Sequence, residues 1–207
     1  MHRLQIFHHD PDLDLKPGML TLEFDVDDGN RSLLDTLIRL KSIDPSLSLR
    51  RSCREDIGGS DAMTTHGKNG LACLTNMRTL PGTVVLKPLP GLPALPVMRD
   101  LIVDMTQLFK QHHSIKRYLV NNAPPPERGR LQSPQERDEL NGLYECILCA
   151  CCTSARPSCW WNLGKYVGPA GLLQAYRFPR RQSGPGHPLA TRQSPGPLIG
   201  YSVAGRY

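Results

Sequence analysis

The sequence predicts an α+β chain: a mixed α/β first domain, a Pro-rich hinge, a small helical second domain and a disordered tail. Three observations carry this. Residues 20–26 (LTLEFDV) alternate Leu20, Leu22, Phe24 and Val26 with Thr21, Glu23 and Asp25, the period of a half-buried strand. The run KPLPGLPALP is too rich in proline for regular structure and reads as a linker. Beyond it, apolar residues recur at helical spacing.

The elements follow in order. Residues 32–41 place Leu33, Leu34, Leu37, Ile38 and Leu40 at helical spacing, with Ser32 placed to cap the start. Residues 45–75 read as a loop punctuated by Gly, Ser and Cys. Residues 83–87 (TVVLK) predict a further strand. After the hinge, Leu101, Met105, Leu108 and Phe109 share one face of a helix that follows Asp100, and APPPERG breaks it. Ser133-Pro134-Gln135-Glu136 has capping-box spacing with Pro at the first helical position, so a helix is expected to about Tyr144. Ala170 to Phe178 predicts a last short helix, with Pro179 as its stop.

The 207 residues suffice for one ordinary domain or two small ones. No apolar run approaches the length of a membrane span, and MHRLQIFHHDPD lacks the pattern of a signal peptide. The formal charge of +6 comes from 25 basic and 19 acidic residues. Residues 179–207 hold four Arg and no acidic residue, so the body before them is near neutral. No base-reading or stacking motif accompanies the tail's charge, so no nucleic-acid partner is predicted. His8-His9 and His112-His113 read as solvated surface pairs.

The seven Cys are the chemistry-bearing signal. Cys146, Cys149 and Cys152 form C-x2-C-x2-C, a spacing that lets three thiolates from one turn converge on a compact inorganic centre. Arg156 stands where a ferredoxin run would place its fourth Cys, before Pro157. The spacing favours iron–sulfur over a zinc site or buried thiols, and both alternatives stay open. A disulfide framework is excluded by the crowding of Cys146, Cys149, Cys151 and Cys152. Cys53 and Cys73 carry no such pattern by themselves. A plant-type 2Fe–2S loop needs ligands at positions 58 and 61, which are Gly58 and Asp61.

LKSIDPSLSLRRSCRE, GGSDAM, GKNGLACLT, KPLPGLP, MRDLIVDM, GLYECILCACC, WWN and GPAGLLQAYRF together resemble the succinate dehydrogenase/fumarate reductase iron–sulfur protein family, from about Leu4 to Phe178. The resemblance implies an N-terminal β-grasp 2Fe–2S ferredoxin-like domain over 1–98. It implies a partial α-helical ferredoxin domain over 99–178, with residues 179–207 as a disordered tail. It implies 2Fe–2S, 4Fe–4S and 3Fe–4S clusters in a line. Electrons would pass from a flavoprotein subunit, which oxidises succinate to fumarate, to ubiquinone at hydrophobic membrane-anchor subunits. Carried over by motif, Cys53, Asp61 and Cys73 would hold the 2Fe–2S cluster, and Cys146, Cys149 and Cys152 the 4Fe–4S cluster. Pro157, Ser158 and Trp161 match the quinone-side segment. The implied location is the cytoplasmic face of a bacterial inner membrane, reached through partner subunits.

The chain also departs from that pattern. Gly58 replaces a 2Fe–2S thiolate, and Asp56 stands where the family usually has Gly. Arg156 replaces a 3Fe–4S thiolate, and a guanidinium cannot ligate iron. Cys159 stands where the family has an aromatic, and Cys151 matches a non-ligand Cys. LPGLPALPVMRD carries three residues more than the family's LPGLPVIRD. After Phe178 the family reads L-A-D-S-R-D and later supplies further cluster ligands. One permitted codon choice for Pro179 into Pro185, CCT CGC CGA CAG TCG GGA CC, gives L-A-D-S-R-D when read one base later. The expectation is a frameshift after Phe178, a 3Fe–4S cluster absent and electron transfer impaired. The alternative is a non-catalytic remnant that docks on the flavoprotein or binds zinc through its Cys cluster.

Overall fold

Leu4, Ile6, Val84 and Leu86 are fully buried, and their period-two spacing makes the two strands at the centre of the sheet. The structure is a computed structural model that describes residues 2–24, 31–90, 95–115, 124, 127, 133–162 and 164–182. Strand β1 is His2–His8, β2 Gly18–Phe24, β3 Ala62–Thr65, β4 Lys68–Leu71 and β5 Thr83–Lys87. They form one sheet in the order β2-β1-β5-β3-β4. The β1–β5 pair is parallel, while β1–β2, β3–β4 and β3–β5 are antiparallel.

Helix α1, Leu33–Ile43, packs on this sheet through Leu33, Leu34, Leu37 and Leu40. Each such side chain taken fully out of water is worth about 1.5–3 kcal/mol. Ser32 caps it as expected, its Oγ accepting from the Asp35 amide at 3.1 Å. The first two helical amides donate outward, Leu33 to Thr75 O at 2.7 Å and Leu34 to Ala72 O at 3.1 Å. The helix start therefore holds the segment around Cys73 in place.

The loop expected over residues 45–75 contains the β3–β4 hairpin instead. His66 and Gly67 form its two-residue turn with φ of +48° and +79°, the backbone twist that two-residue hairpins favour. The strands are four residues each and their only large apolar members are Met63 and Leu71, too little alternation to announce a strand. Strand β1 was equally unannounced, whereas the strand expected at 83–87 is β5.

The hinge is not simply solvated linker. Leu89 and Leu95 flank it and are buried with Val103, Leu108 and Ala150 in a second apolar cluster. The extra residues fall within 91–94, outside the described residues. Strands β6, Val97–Arg99, and β7, Ile102–Val103, form a small hairpin where a helix was expected to begin. The domain boundary placed between 98 and 99 thus cuts through β6. Leu101 belongs to the first core, not to a helical face, and helix α2 spans Thr106–Ser114. Asp100, wholly buried, ties this hairpin to the first body. Its Oδ1 accepts from the His9 amide at 2.9 Å and its Oδ2 from the Ser48 amide at 2.6 Å.

The remaining chain is helical: α3 Pro134–Asp138, α4 Cys151–Ser154, α5 Pro157–Trp161 and α6 Gly168–Gln182. The capping box at Ser133 and Glu136 forms, but α3 stops at Asp138 rather than near Tyr144. It buries no side chain, so no packing extends it. Helix α6 runs past Pro179 to Gln182: proline removes one helical hydrogen bond but keeps a helical φ. Residues 183–207, with most of the expected tail, lie outside the described residues, as does most of APPPERG. His112 is buried beside Leu108 on one face of α2, so the second His pair is not a solvated one. No helix among the described residues is long and apolar enough to cross a membrane.

Candidate metal centre

The register Ala62↔Leu71 puts the residues that flank the β3–β4 hairpin side by side. Asp61, just before β3, is buried, and its Oδ2 accepts from the Cys73 amide at 2.6 Å, just after β4. Burial pushes the Cys73 thiol up from its ordinary value. The Asp56 amide opposes the shift, and the carboxylate of Asp61 and the charge of Cys53 add to it. Cys53, Asp61 and Cys73 are therefore neighbours.

Cys53 sits in a cradle of amides. Its Sγ accepts from Gly58 N at 2.9 Å, Ile57 N at 3.3 Å and Glu55 N at 3.4 Å. These donors hold its thiol below the ordinary value, Glu55 first, then Gly58 and Ile57. The loop achieves this with Arg54 and Asp56 in the left-handed region, at φ of +67° and +57°. Successive turns of this kind point several N–H groups at one anion. Asp56 thus holds the conformation for which a glycine is the ordinary choice.

The second Cys loop uses the same device. Leu148 and Ala150 are left-handed, at φ of +58° and +67°. Cys149 is pulled down to about 6, first by the Cys151 thiol that donates to it and then by the amides of Cys151 and Cys149. Burial and the Asp56 carboxylate oppose that shift. Cys151 is correspondingly pushed up, because its proton is held by Cys149 and because it is buried. Cys151 is thus a donor to Cys149. Cys159 is buried and pushed up by desolvation, lining a pocket with Leu108 and Tyr166 away from this loop.

The two loops touch. A Cβ built on Gly59, whose φ is +61°, would lie 2.9 Å from Cys149 Cβ and 3.0 Å from the Ile147 carbonyl. A cavity of about 270 Å³ opens beside this contact, bordered by Gly58, Gly59, Leu148 and Cys149. Asn69 of β4 clasps the same junction, donating to Cys151 O at 3.2 Å and Ser154 Oγ at 3.0 Å. Asn69 and Asp100 were missed by sequence reading, since neither lies in a ligand pattern.

Among the described residues, no three His, Cys, Asp or Glu side chains converge closely enough to hold one metal ion. A tetrahedral zinc with bonds of ~2.3 Å would need such convergence, whereas a multi-iron cluster spreads its thiolates over separate irons. The amide cradle at Cys53 and the lowered Cys149 thiol both suit anionic sulfur and fit a cluster at each loop. Position 156 does not fit a cluster: Arg156 turns back and donates to the Cys152 carbonyl. At the far side, Pro157 starts α5, Ser158 is half-buried and Trp161 is 78% exposed. Trp160 instead donates through Nε1 to Ser154 O at 2.8 Å.

Residues 3–110 match a family described as a 2Fe-2S iron-sulfur cluster binding domain. The chain is 51% identical over 174 residues to the succinate dehydrogenase iron-sulfur subunit of Coxiella burnetii, covering 84% of this chain and 73% of that protein. It is 45% identical over 179 residues to the protein of the same name from Paracoccus denitrificans, covering 86% of this chain and 68% of that one. A chain of the Mycobacterium smegmatis Sdh1 complex in the apo form shares the fold, with a TM-score of 0.71 and 22% identity over 86% of this chain and 75% of that chain.

Proposed function

This chain belongs to the succinate dehydrogenase iron–sulfur subunit family, and from that premise we propose that it relays electrons from a flavoprotein subunit oxidising succinate toward ubiquinone, at reduced throughput. The observation that carries this reading is the amide cradle around Cys53, set against the Cys149 loop at Gly59. Cys53, Asp61 and Cys73 hold a 2Fe–2S cluster, and Cys146, Cys149 and Cys152 a 4Fe–4S cluster. Each cluster supplies a site that accepts and returns one electron. The chain's own part is electrostatic. Amides of residues 55, 57 and 58 stabilise negative charge at Cys53, while the Asp61 carboxylate disfavours it at Cys73. Gly59 keeps the two loops in backbone contact, which shortens the path between them.

Reduced throughput follows from Gly58 and Arg156. Neither side chain ligates iron, so the first centre lacks a thiolate and no 3Fe–4S centre forms at residue 156. The subunit reaches a bacterial inner membrane from the cytoplasmic side through hydrophobic anchor subunits, and Pro157, Ser158 and Trp161 face the quinone. Anaerobic reconstitution with iron and sulfide, read by electron paramagnetic resonance, tests all of this. Signals from the first two centres without a 3Fe–4S signal are expected. A normal 3Fe–4S signal overturns the impairment. Zinc uptake without acid-labile sulfide overturns the cluster reading.

A further inference from the structure

Gly58 leaves one corner of the first loop without a side-chain donor, yet the space is filled. A Cβ built on Gly58 would lie 2.2 Å from Ser52 Oγ and 3.4 Å from Cys53 Sγ. At that separation the Ser52 hydroxyl stands where the first atom of any side chain from position 58 would stand. The hydroxyl also lies near enough to the Cys53 thiol to favour its ionised form, the least of the causes that do so. Its hydrogen-bond partner is Ser60 Oγ at 2.9 Å. Ser52 is exposed, so no packing prevents it from turning.

We infer that Ser52 supplies the oxygen that completes the first centre in this chain, in the place Gly58 cannot fill. The inference rests on the cluster reading above and adds a second oxygen donor to Cys53, Asp61 and Cys73. The chemistry is a ligand exchange without electron transfer. The Ser52 O–H bond breaks, its oxygen bonds one iron in place of a water, and the proton leaves to solvent. Ser60, 2.9 Å away, donates to the resulting alkoxide. Two oxygen donors are harder than thiolates and favour ferric over ferrous iron. The first centre should therefore be harder to reduce than one with an all-thiolate shell.

Three single variants of the full chain, Ser52→Ala, Ser52→Cys and Gly58→Cys, and the Ser52→Ala, Gly58→Cys double variant test it, each reconstituted anaerobically. Iron and acid-labile sulfide are counted, and the reduced first centre is read by electron paramagnetic resonance. Wild type should load the first centre, and Ser52→Ala should lower its affinity for that iron about tenfold or more. Ser52→Cys should keep the centre and move its resonance and visible absorption toward an all-sulfur pattern. Adding Gly58→Cys to Ser52→Ala, which also removes the 2.2 Å overlap, should restore loading. The inference is overturned if Ser52→Ala loads like wild type with an unchanged resonance, or if Ser52→Cys leaves the resonance unmoved. Loading by Gly58→Cys but not by wild type defeats Ser52 and leaves the cluster reading intact. Failure of wild type and of the Ser52→Ala, Gly58→Cys double variant to load defeats both.

Discussion

Gly59 lies so close to Cys149 that a Cβ built on the first would stand 2.9 Å from the Cβ of the second and 3.1 Å from its Cα. The contact joins the two sulfur loops, and Gly59 alone meets its two demands. It holds a φ of +61°, and it leaves no atom in the gap. Gly59→Ala adds left-handed strain and an overlap with backbone that cannot rotate aside. The expected loss is about 3 kcal/mol in urea unfolding.

Asp100 is the second long-range tie. Replacing it with Ala strands the amides of His9 and Ser48 in a buried site, for a loss of about 3 kcal/mol. Asp100→Asn keeps one acceptor oxygen and should lose roughly half as much. Unfolding midpoints of the two variants, compared with wild type, check the order.

Cys149 should show a thiolate early in a pH titration of cluster-free protein. Its folded-state value of about 6 lies below the ordinary 9.0, so alkylation should rise with a midpoint near 6 while Cys151 stays unreactive. The sign for stability follows. The depressed Cys149 adds stability as pH rises from about 6 to 9.0, and the pushed-up Cys151, still protonated when the unfolded thiol has ionised, takes stability away above 9.0. Cys151→Ala removes the chief donor, so the alkylation midpoint should move up. Mass spectrometry of labelled peptides across pH reads both effects.

The adjacent tryptophans should behave differently. Trp160→Phe loses the bond to Ser154 O and should cost about 1 kcal/mol. Trp161, 78% exposed, should tolerate Phe within about 0.5 kcal/mol. If Trp161 faces quinone, its variant should instead slow quinone reduction in the assembled complex while thermal unfolding stays unchanged.

Local signals in the sequence read true where the physics is local. Ser32 and Ser133 cap helices because a hydroxyl three residues before an amide needs nothing else. That Cys53, Asp61 and Cys73 lie together was legible through resemblance, and the strain at Asp56 was foreshadowed by its standing at a glycine position. What stayed hidden depends on partners far along the chain. β1 becomes a strand because β5 pairs with it, and Asp100 is buried because His9 and Ser48 meet it there. Ser52 gave no signal, since its meaning comes from the missing side chain at position 58.

The position of β1 has a consequence for biosynthesis. It precedes β5 in the chain, with β2, α1, β3 and β4 between them, yet it lies inside the sheet with β5 as its parallel neighbour. During translation the β1–β2 hairpin can close at once, but the other edge of β1 has no partner until Leu86 has left the ribosome. An unpaired apolar edge is a template for wrong pairing. The nascent chain therefore carries this open edge throughout the synthesis of the Cys53 loop, and closes it before the Cys149 loop is made.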